Sequence, residues 1–338
     1  MKNLLHFSKV INNHDFIDVV VKNANPINFK MMASSYRGES NIENPYYEKA
    51  GIPFFNLEID HGWFYMFWGA WRLSRILRRE NIDILHTHHY YEAVIGTMAC
   101  LMSHKTRHIV GRHYHDQFYL TTSGAKLWFY LFVEKIVNSV ASAIIVPSTA
   151  IVELLKRQGV SPEKIKLIPY PFDFSKSRYN TLSLDEISNL KQKLGINNKF
   201  VIGNIARHHN IKGQLYLIEA FHGLHKQLPD ILMLMIGDGP FHSSLCEAVE
   251  QRQLQDAVVF AGWRKDAHRL INCMDVVVHP TLQEAFPQIM IETMALGVPL
   301  VITPVSGATD VIEHYSNGFI VPFKNIDKIV RDCVGPVL

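Results

Sequence analysis

Two carboxylates, Glu284 and Glu292, stand eight residues apart in the proline-bounded stretch 280–304. Residues 288–296 have a helical pattern, so Glu284 is expected in the loop before a helix and Glu292 about one turn inside it. An ionised carboxylate only accepts hydrogen bonds, and the amides at a helix N-terminus bind phosphate or hydroxyl oxygens. The pair suits a ligand rich in hydroxyl groups, although spacing alone leaves it equally open that Glu292 is a solvated residue of the helix face.

Two cations, Arg207 and Lys212, stand five residues apart in a loop that follows a predicted strand, and Gly213 comes just before the next helical pattern. Two cations beside a helix N-terminus can clamp a diphosphate. Glycines at two further strand ends, Gly237 and Gly262, would let a ligand approach the backbone closely. Taken singly, these features have ordinary explanations, since loop cations are usually solvated and glycines form turns.

The histidines His86 and His88 have the spacing with which metallohydrolases bind zinc from a strand. Such sites need an aspartate or a further histidine close by, but Tyr90, Tyr91 and Glu92 follow, and no later histidine has a clear ligand context. Because the chain has 18 histidines in 338 residues, a single histidine carries little weight. The sequence therefore predicts no metal site.

The elements that must position these residues follow from an alternation of apolar, β-branched runs with helical patterns. Fully apolar strands that alternate with helices indicate parallel sheets covered on both faces. The predicted strands are 4–7, 29–33, 82–87, 108–110, 143–147, 166–168, 200–206, 231–236, 258–261, 276–279, 300–303 and 318–322. The predicted helices include 66–80, 91–101, 125–140, 150–158 and 184–194.

The alternation stops around residues 171–199 and then restarts, which predicts two domains, 1–172 and 173–338. Each is expected to be a doubly wound, Rossmann-like α/β domain. Such folds bind ligands at the carboxyl ends of their strands, so the active site is expected in a cleft between the two facing sheets.

The overall composition narrows the class of protein. Apolar residues make up 48% of the chain and charged residues 19%, which excludes disorder, and a net charge of +3 is too small for a nucleic-acid-binding surface. The four scattered cysteines form no CxxC pair, which indicates a reducing compartment. Without a signal-peptide core or an apolar stretch of about 20 residues, the chain is predicted to be cytoplasmic.

Residues 61–79 carry six aromatic side chains followed by a basic run, and residues 1–172 carry an excess of five positive charges. In a helix this pattern could rest on the anionic inner face of a membrane, as interfacial segments do. The alternative is that the aromatic side chains pack into the domain core and the basic end is solvated.

Taken in order, the motifs between about residues 200 and 322 resemble the donor-binding half of glycosyltransferase family 4, whose members have the GT-B fold. Glu284 and Glu292 resemble the family's E-x7-E motif. Arg207 and Lys212 resemble its diphosphate-binding pair. The other matching stretches are residues 236–240, 275–280, 292–300 and 306–307.

The resemblance implies roles for the charged side chains. Arg207 and Lys212 would neutralise the donor diphosphate and the charge that develops on the leaving group, without a metal. Glu292 would accept hydrogen bonds from the ribose hydroxyls, and Glu284 from the hydroxyls of the donor sugar.

Backbone groups complete the implied donor site. The backbone of residues 262–264 would meet the nucleobase, and the amides of residues 286–288 would assist Glu284. Where the family often has Glu-Gly-Phe-Gly, Ala285 and Pro287 replace the glycines, and Pro287 has no amide hydrogen to donate. The implied donor-binding residues beyond the four charged ones are Gly237, Gly262, Trp263, Arg264, Phe286, Pro287 and Gln288.

The front half resembles the family in residues 109–116, which follow a predicted strand and are similar to its TRHHSD-type segment. His113 would then lie in the cleft near the donor sugar. The implied catalytic residues are therefore His113, Arg207, Lys212 and Glu284. His115 is the alternative. Residues 83–88 resemble the family's PDIVHTH strand, whereas the Gly-Gly loop of many members is absent from residues 8–15, so no acceptor contacts are implied there.

The resemblance implies a retaining, metal-independent glycosyltransferase that moves a sugar from a nucleotide-diphosphate sugar to a saccharide or lipid-linked acceptor, in cell-surface polysaccharide or glycolipid biosynthesis. No cofactor and no nucleic-acid partner are expected. The alternatives are a nucleotide-sugar epimerase or hydrolase of the same fold and a non-catalytic sugar-nucleotide-binding protein. The family continues after residue 322 through further helices, the last of which crosses back onto the first domain, so the closing helices are expected to be missing from a chain that ends at Leu338.

Overall fold

The computed structural model describes residues 1–8, 20, 23, 25, 27–35, 51–58, 63–114, 122–175 and 180–329. The chain divides into two compact units, Met1–Asp173 and Phe174–Leu338. The domain boundary expected from the sequence, after residue 172, lies one residue from this division. His115, the loop 9–15 and the chain end 330–338 lie outside the described residues.

In the first unit the described residues form a seven-stranded sheet whose order is β3-β2-β1-β4-β5-β6-β7, with every neighbouring pair parallel. Its strands are β1 Lys2–Ser8, β2 Phe29–Ser35, β3 Phe54–Asn56, β4 Ile84–His88, β5 Arg107–Gly111, β6 Ala143–Val146 and β7 Ile165–Leu167. Its helices are α1 Trp63–Arg79, α2 Tyr90–Ser103, α3 Gly124–Val140 and α4 Thr149–Arg157.

In the second unit the described residues form a six-stranded parallel sheet with the order β10-β9-β8-β11-β12-β13. Its strands are β8 Phe200–Ile205, β9 Ile231–Ile236, β10 Val258–Gly262, β11 Val276–His279, β12 Leu300–Ile302 and β13 Phe319–Ile320. Its helices are α5 Leu184–Leu194, α6 Gln214–His225, α7 His242–Gln251, α8 Ala267–Leu270, α9 Gln288–Ala295 and α10 Ala308–Val311.

Burial on both faces explains why these strands are so uniformly apolar. All six residues of β9 are buried, and the core around them contains Phe221 and Leu217 of α6 and Leu245 of α7. Helices on both faces of a parallel sheet leave no strand face for polar side chains. The prediction of two parallel α/β sheets is confirmed.

The predicted elements coincide with the observed ones to within three residues at each end. The exception is β3, which was not predicted. It has only three residues, at the edge of its sheet, and follows Pro53, so it is too short to show a period of two.

Candidate active site

The charged donor-site candidates lie on loops that leave the carboxyl ends of adjacent strands of the second unit. Arg207 and Lys212 follow β8, and Glu284 follows β11, the strand beside it. The loop of Gly237 follows β9, on the other side of β8. Because all strands of the sheet are parallel, these loops share one edge, where doubly wound folds bind their ligands.

Backbone contacts fasten the β8 loop to the β11 loop. The Leu282 amide and the Thr281 hydroxyl donate hydrogen bonds to the Ile211 carbonyl oxygen at 2.7 and 3.2 Å. Gly213 has a left-handed φ of 69°, and a Cβ atom there would lie 2.0 Å from the Pro280 carbonyl oxygen. Only glycine allows the two backbones to approach this closely.

The Lys212 ammonium forms an ion pair with Glu284 Oε1, and both side chains are about four-fifths buried, at 18% and 21% exposure. The His279 Nε2 atom lies 3.4 Å from the same oxygen. Burial alone would raise the pKa of the Glu284 carboxyl, but the hydrogen bond from His279 and the charge of Lys212 outweigh it and lower the pKa below its ordinary value. Glu284 is therefore an ionised hydrogen-bond acceptor at neutral pH.

His279 is a site residue that the sequence reasoning did not select. It is the last residue of β11 and is almost fully buried, so its ring reaches Glu284 from below. The available signal was its place in residues 275–280, a stretch that resembles the family, immediately before Pro280.

A chain of buried amides supports the loop from beneath. The Asn204 side chain donates to the Val278 carbonyl oxygen at 2.8 Å, and the Gln214 side chain donates to Asn204 Oδ1 at 3.2 Å. Gln214 Oε1 in turn accepts a hydrogen bond from the His209 backbone amide at 3.4 Å. These contacts fix β8, β11 and the start of α6 around the Lys212 loop. Neither amide had a signal in the sequence, because their partners lie on a neighbouring strand or are backbone atoms.

The β9 loop lies directly against the β8 loop. Gly237 has a φ of 140°, and a Cβ atom there would lie 2.0 Å from the Ala206 carbonyl oxygen. At Gly239 an added Cβ would lie 2.4 Å from the His208 carbonyl oxygen and 3.1 Å from Arg207 Cγ. The Arg207 side chain is exposed beside these two glycines.

The β11 loop leads into α9. Pro287 is the N-cap residue, Gln288 is the first helical residue and is exposed, and Glu292 is the fifth and is half-buried. Phe286 is buried, and a Cβ atom at Gly307, which has a φ of 80°, would lie 2.5 Å from its ring. The Phe286 ring is thus packed beneath the loop, which leaves backbone rather than side chain to contact a ligand at this position.

The β10 loop carries the residues expected to meet a nucleobase. Gly262 has a left-handed φ of 66°, and the Trp263 side chain is 69% exposed. The Arg264 guanidinium donates two hydrogen bonds to the Asp266 carboxylate, each 2.8 Å long, and this pairing lowers the pKa of Asp266. The Arg264 side chain is therefore engaged within its own loop.

His113 belongs to the first unit, two residues beyond the end of β5. Its Nε2 atom lies 2.9 Å from His88 Nδ1, and its Nδ1 atom lies 2.8 Å from the Tyr170 hydroxyl. Both ring nitrogens are therefore engaged, and the ring is held in one orientation at the carboxyl edge of the sheet.

Arg112, the residue before His113, carries a buried charge. The Arg112 guanidinium is almost fully buried, pairs with Glu134 at 2.8 Å and lies over the Tyr114 ring at 4.9 Å. Arg112 thus has a packing role within the motif that contains His113.

Comparison with known proteins agrees with this site. The sequence model described as glycosyl transferases group 1 matches residues 186–333, and the model of Glycosyltransferase Family 4 matches residues 29–176. Together the two models span most of both units. The chain thus belongs to glycosyltransferase family 4, and its two doubly wound parallel sheets are those of the GT-B fold.

Two relatives with assigned reactions illustrate the range of the family. The chain is 25% identical over 268 residues to the UDP-Gal:alpha-D-GlcNAc-diphosphoundecaprenol alpha-1,3-galactosyltransferase of Escherichia coli, covering 78% of this chain and 68% of the relative. It is 24% identical over 257 residues to the N-acetyl-alpha-D-glucosaminyl L-malate synthase of Bacillus anthracis, covering 74% of this chain and 64% of the relative. The chain thus spans about two thirds of the length of these relatives.

Among solved structures, Anabaena HepE in complex with UDP-glucose has the same fold, with a TM-score of 0.82, 20% identity, and coverage of 99% of this chain and 89% of HepE. None of the helices in the described ranges is both long and apolar enough to cross a membrane.

Proposed function

We propose that this chain transfers a sugar from a nucleotide-diphosphate sugar to a saccharide or lipid-linked acceptor, with retention of the anomeric configuration and without a metal at the reacting groups. The observation that carries the proposal is the Lys212–Glu284 ion pair, held on two interlocked loops at the carboxyl edge of the second sheet. The name of the Escherichia coli relative, which includes a UDP-sugar and a diphosphoundecaprenol acceptor, supports the same substrate classes.

The cations would bind the diphosphate. Arg207 is exposed and can reach phosphate oxygens as a bidentate donor, whereas Lys212 is already fixed in position by Glu284. Charge that develops on the leaving diphosphate would be stabilised by cations that need no reorganisation at the moment of reaction.

The carboxylates would bind the sugars. The lowered pKa of Glu284 keeps it ionised, so it can accept hydrogen bonds from donor hydroxyls while it holds Lys212. Glu292, inside the first turns of α9, would accept from the ribose. For the nucleobase, the exposed Trp263 ring and the backbone of the β10 loop are the available contacts, since the Arg264 guanidinium is paired with Asp266.

His113 would contact the donor sugar from the first unit. Because His88 and Tyr170 engage both of its ring nitrogens, His113 would exchange one of these partners for a sugar hydroxyl in order to hydrogen-bond the donor. Substitution of His88 or Tyr170 would therefore change the orientation of the His113 ring.

A lipid-linked acceptor would be met at a membrane surface, and the aromatic helices of the first unit support this. In α1 the side chains of Phe64, Phe67, Trp68 and Trp71 are exposed, so the alternative that these aromatics form core is wrong for them. Arg72 and Arg75 lie over the rings of Trp68 and Trp71 at 5.3 and 5.0 Å.

A second helix of the first unit also exposes aromatic side chains. In α3 the exposed rings of Trp128 and Phe132 stack with their centroids 5.6 Å apart. Exposed aromatics with adjacent arginines suit an anionic interface.

The donor and the reaction are tested together. The chain is incubated with UDP-, GDP- and ADP-sugars, with and without a diphosphoprenol-linked acceptor, and nucleotide release and products are measured in the presence of a chelator. Acceptor-dependent release of nucleotide and an α-linked product from an α-linked donor are expected. Donor consumption without acceptor would instead identify an epimerase or hydrolase, and tight nucleotide binding without turnover would identify a binding protein.

The membrane contact is tested by sedimentation with vesicles of anionic lipid. Replacement of Phe64 and Trp128 by serine is expected to weaken binding about tenfold, because two exposed rings are lost from the interface. The matched control is Trp263→Ser, which removes an equally exposed ring from the second unit. Equal binding by all three proteins would refute the assignment of this face.

A further inference from the structure

Three histidines at the carboxyl edge of the first sheet have no assigned part in the transfer reaction. His6 lies on β1, and His86 and His88 lie on β4. His6 and His86 are directly paired in register on neighbouring parallel strands, and His88 is two residues further along. Residues i and i+2 of a strand point to the same face, so all three rings project together.

The rings form one compact cluster that is almost completely buried. Their centroids are separated by 5.0 Å for His6 and His86, 5.5 Å for His6 and His88, and 4.2 Å for His86 and His88. One ring nitrogen from each residue lies within 4.8 Å of the other two. Ligand nitrogens about 2.0–2.1 Å from a tetrahedral zinc ion are roughly 3.4 Å apart. Small ring movements would therefore bring the three nitrogens to the separations that a zinc ion requires.

Two of these buried nitrogens, His6 Nε2 and His86 Nε2, have no hydrogen-bond partner among the described residues. Buried polar atoms are nearly always satisfied, so a water molecule or an ion is expected at each of these two nitrogens. Burial lowers the pKa of His6 to about 4 and lowers the pKa of His86 and His88 well below the ordinary value.

The surroundings fit a ligand set. A Cβ atom at Gly111 on β5 would lie 3.1 Å from His86 Nε2, so glycine leaves room beside this nitrogen. His88 Nδ1 lies 2.9 Å from His113 Nε2, the kind of outer contact that orients a metal-binding ring. An ion in the cluster would replace the hydrogen bond of 3.1 Å between His6 Nδ1 and His88 Nε2, and those two nitrogens and the unpartnered His86 Nε2 would be its ligands.

We propose that His6, His86 and His88 bind a divalent transition-metal ion of the zinc type, as a structural site that fastens β1 to β4. Imidazole nitrogens suit Zn²⁺, Co²⁺ and Ni²⁺, and a water molecule can supply the fourth ligand. The three proposed ligands are not among the groups that bind the donor in the proposed transfer reaction, although His88 contacts His113. It would stabilise the strand that positions His88 beneath His113.

A second histidine group, His208 and His242 with Asp238, is the competing site. Here His208 Nδ1 lies 3.0 Å from His242 Nδ1, and His242 Nε2 lies 3.5 Å from Cys246 Sγ, whereas His208 Nε2 is buried without a partner among the described residues. His242 therefore has a partner for each ring nitrogen, unlike His6 and His86.

The test uses the full chain without an affinity tag, stripped of metal and titrated with Co²⁺ and Zn²⁺. The wild type is expected to bind one equivalent of Co²⁺ with the intense visible absorption of tetrahedral coordination, and Zn²⁺ is expected to displace it and to raise the unfolding temperature. His6→Gln and His86→Gln are each expected to lower the affinity about 100-fold or more.

Two control variants locate the ion. His104→Asn removes an exposed histidine of the same unit at a left-handed position that asparagine tolerates, and His242→Gln removes the competing site. Both are expected to bind Co²⁺ as the wild type does. The proposal would be overturned if the wild type bound no equivalent of Co²⁺ tightly. It would also be overturned if His6→Gln and His86→Gln still bound Co²⁺ tightly, or if His242→Gln did not.

If either cluster variant fails to fold, X-ray absorption of the zinc-loaded wild type decides. A shell that contains three imidazole nitrogens supports the site, and a shell of fewer imidazoles overturns it.

Discussion

The carboxyl edges of the two sheets have the same topology and opposite electrostatics. At the edge of the second sheet, the ionised Glu284 carboxylate is paired with Lys212. At the edge of the first sheet, His6, His86 and His88 lie against one another, and burial holds them neutral. Burial penalises charge at both edges, and at the second edge the opposite charges of the Lys212–Glu284 pair offset that penalty.

The two proposals assign different kinds of ligand to the two edges. Fixed charges on interlocked loops suit a charged ligand that arrives and leaves with each turnover. Neutral nitrogens inside the strands suit an ion that stays. The following predictions test each side of this contrast, starting with the largest expected effect.

Removal of the cation at the second edge is expected to have the largest effect. Lys212→Ala should lower kcat about 10²–10³-fold, roughly 3–4 kcal/mol of transition-state stabilisation, because a preorganised charge on the leaving diphosphate is lost. The measurement is acceptor-dependent nucleotide release. Lys226→Ala, which removes an exposed lysine at the end of α6, should leave kcat unchanged. Equal rates for the two variants would refute the proposed role of Lys212.

The close backbone contact of the second edge is tested by a pair of glycine substitutions. Gly213→Ala should lower the free energy of unfolding by about 3 kcal/mol, since the new methyl group meets the Pro280 carbonyl oxygen as well as a left-handed φ. Gly195 has nearly the same φ, 68°, but open space where the new methyl group would lie. Gly195→Ala should therefore lower the free energy of unfolding by only about 1 kcal/mol. Urea unfolding measures both. Equal losses would mean that the loops separate without cost.

The neutral histidines of the first edge predict a loss of stability in weak acid. Since the pKa of His6 is about 4 in the folded chain and about 6.5 in an unfolded one, stability is full above pH 6.5 and is lost as the pH falls toward 4. Between pH 7 and pH 5, with a chelator present, the wild type should lose about 2 kcal/mol more than His6→Gln. If both lose the same amount, His6 is not held neutral by the fold.

The ion pair of the second edge predicts the same direction in a more acidic window. The pKa of Glu284 is lowered in the folded chain, so its stabilising effect is present above its unfolded value of about 4.3 and is lost as the pH falls through the lower folded value. At pH 7 the wild type should exceed Glu284→Gln in unfolding free energy by about 1 kcal/mol. The gap should close only below about pH 4. A gap that closes near pH 6 would contradict the lowered pKa.

Most of the fold could be predicted from local sequence pattern. Buried parallel strands such as β9 are continuous apolar runs, and each is bounded by turn residues, so their limits show in the sequence. The strand β3 does not show, because three edge residues carry no periodicity. The helix α5 was predicted with its observed limits, and its Ser183 and Glu186 form a capping box that marks the start.

The candidate site was predictable where its chemistry is local. Arg207 and Lys212 fall in one loop, and Glu284 and Glu292 fall around one helix start, so their spacing is informative. The prediction that no metal site exists rested on residues that follow His88. The third histidine, His6, precedes it by 82 residues and meets it only because β1 and β4 are neighbours.

The sequence by itself determined two parallel α/β units and the residue types at the ends of their strands, because burial on both faces and loop chemistry are written in short stretches of chain. The tertiary structure decided which of those residues meet. The Lys212–Glu284 pair joins residues 72 apart, and the histidine cluster joins two strands that are separated along the chain. It also decided their charge states, since a pKa depends on the burial and the neighbours that only the packed chain supplies.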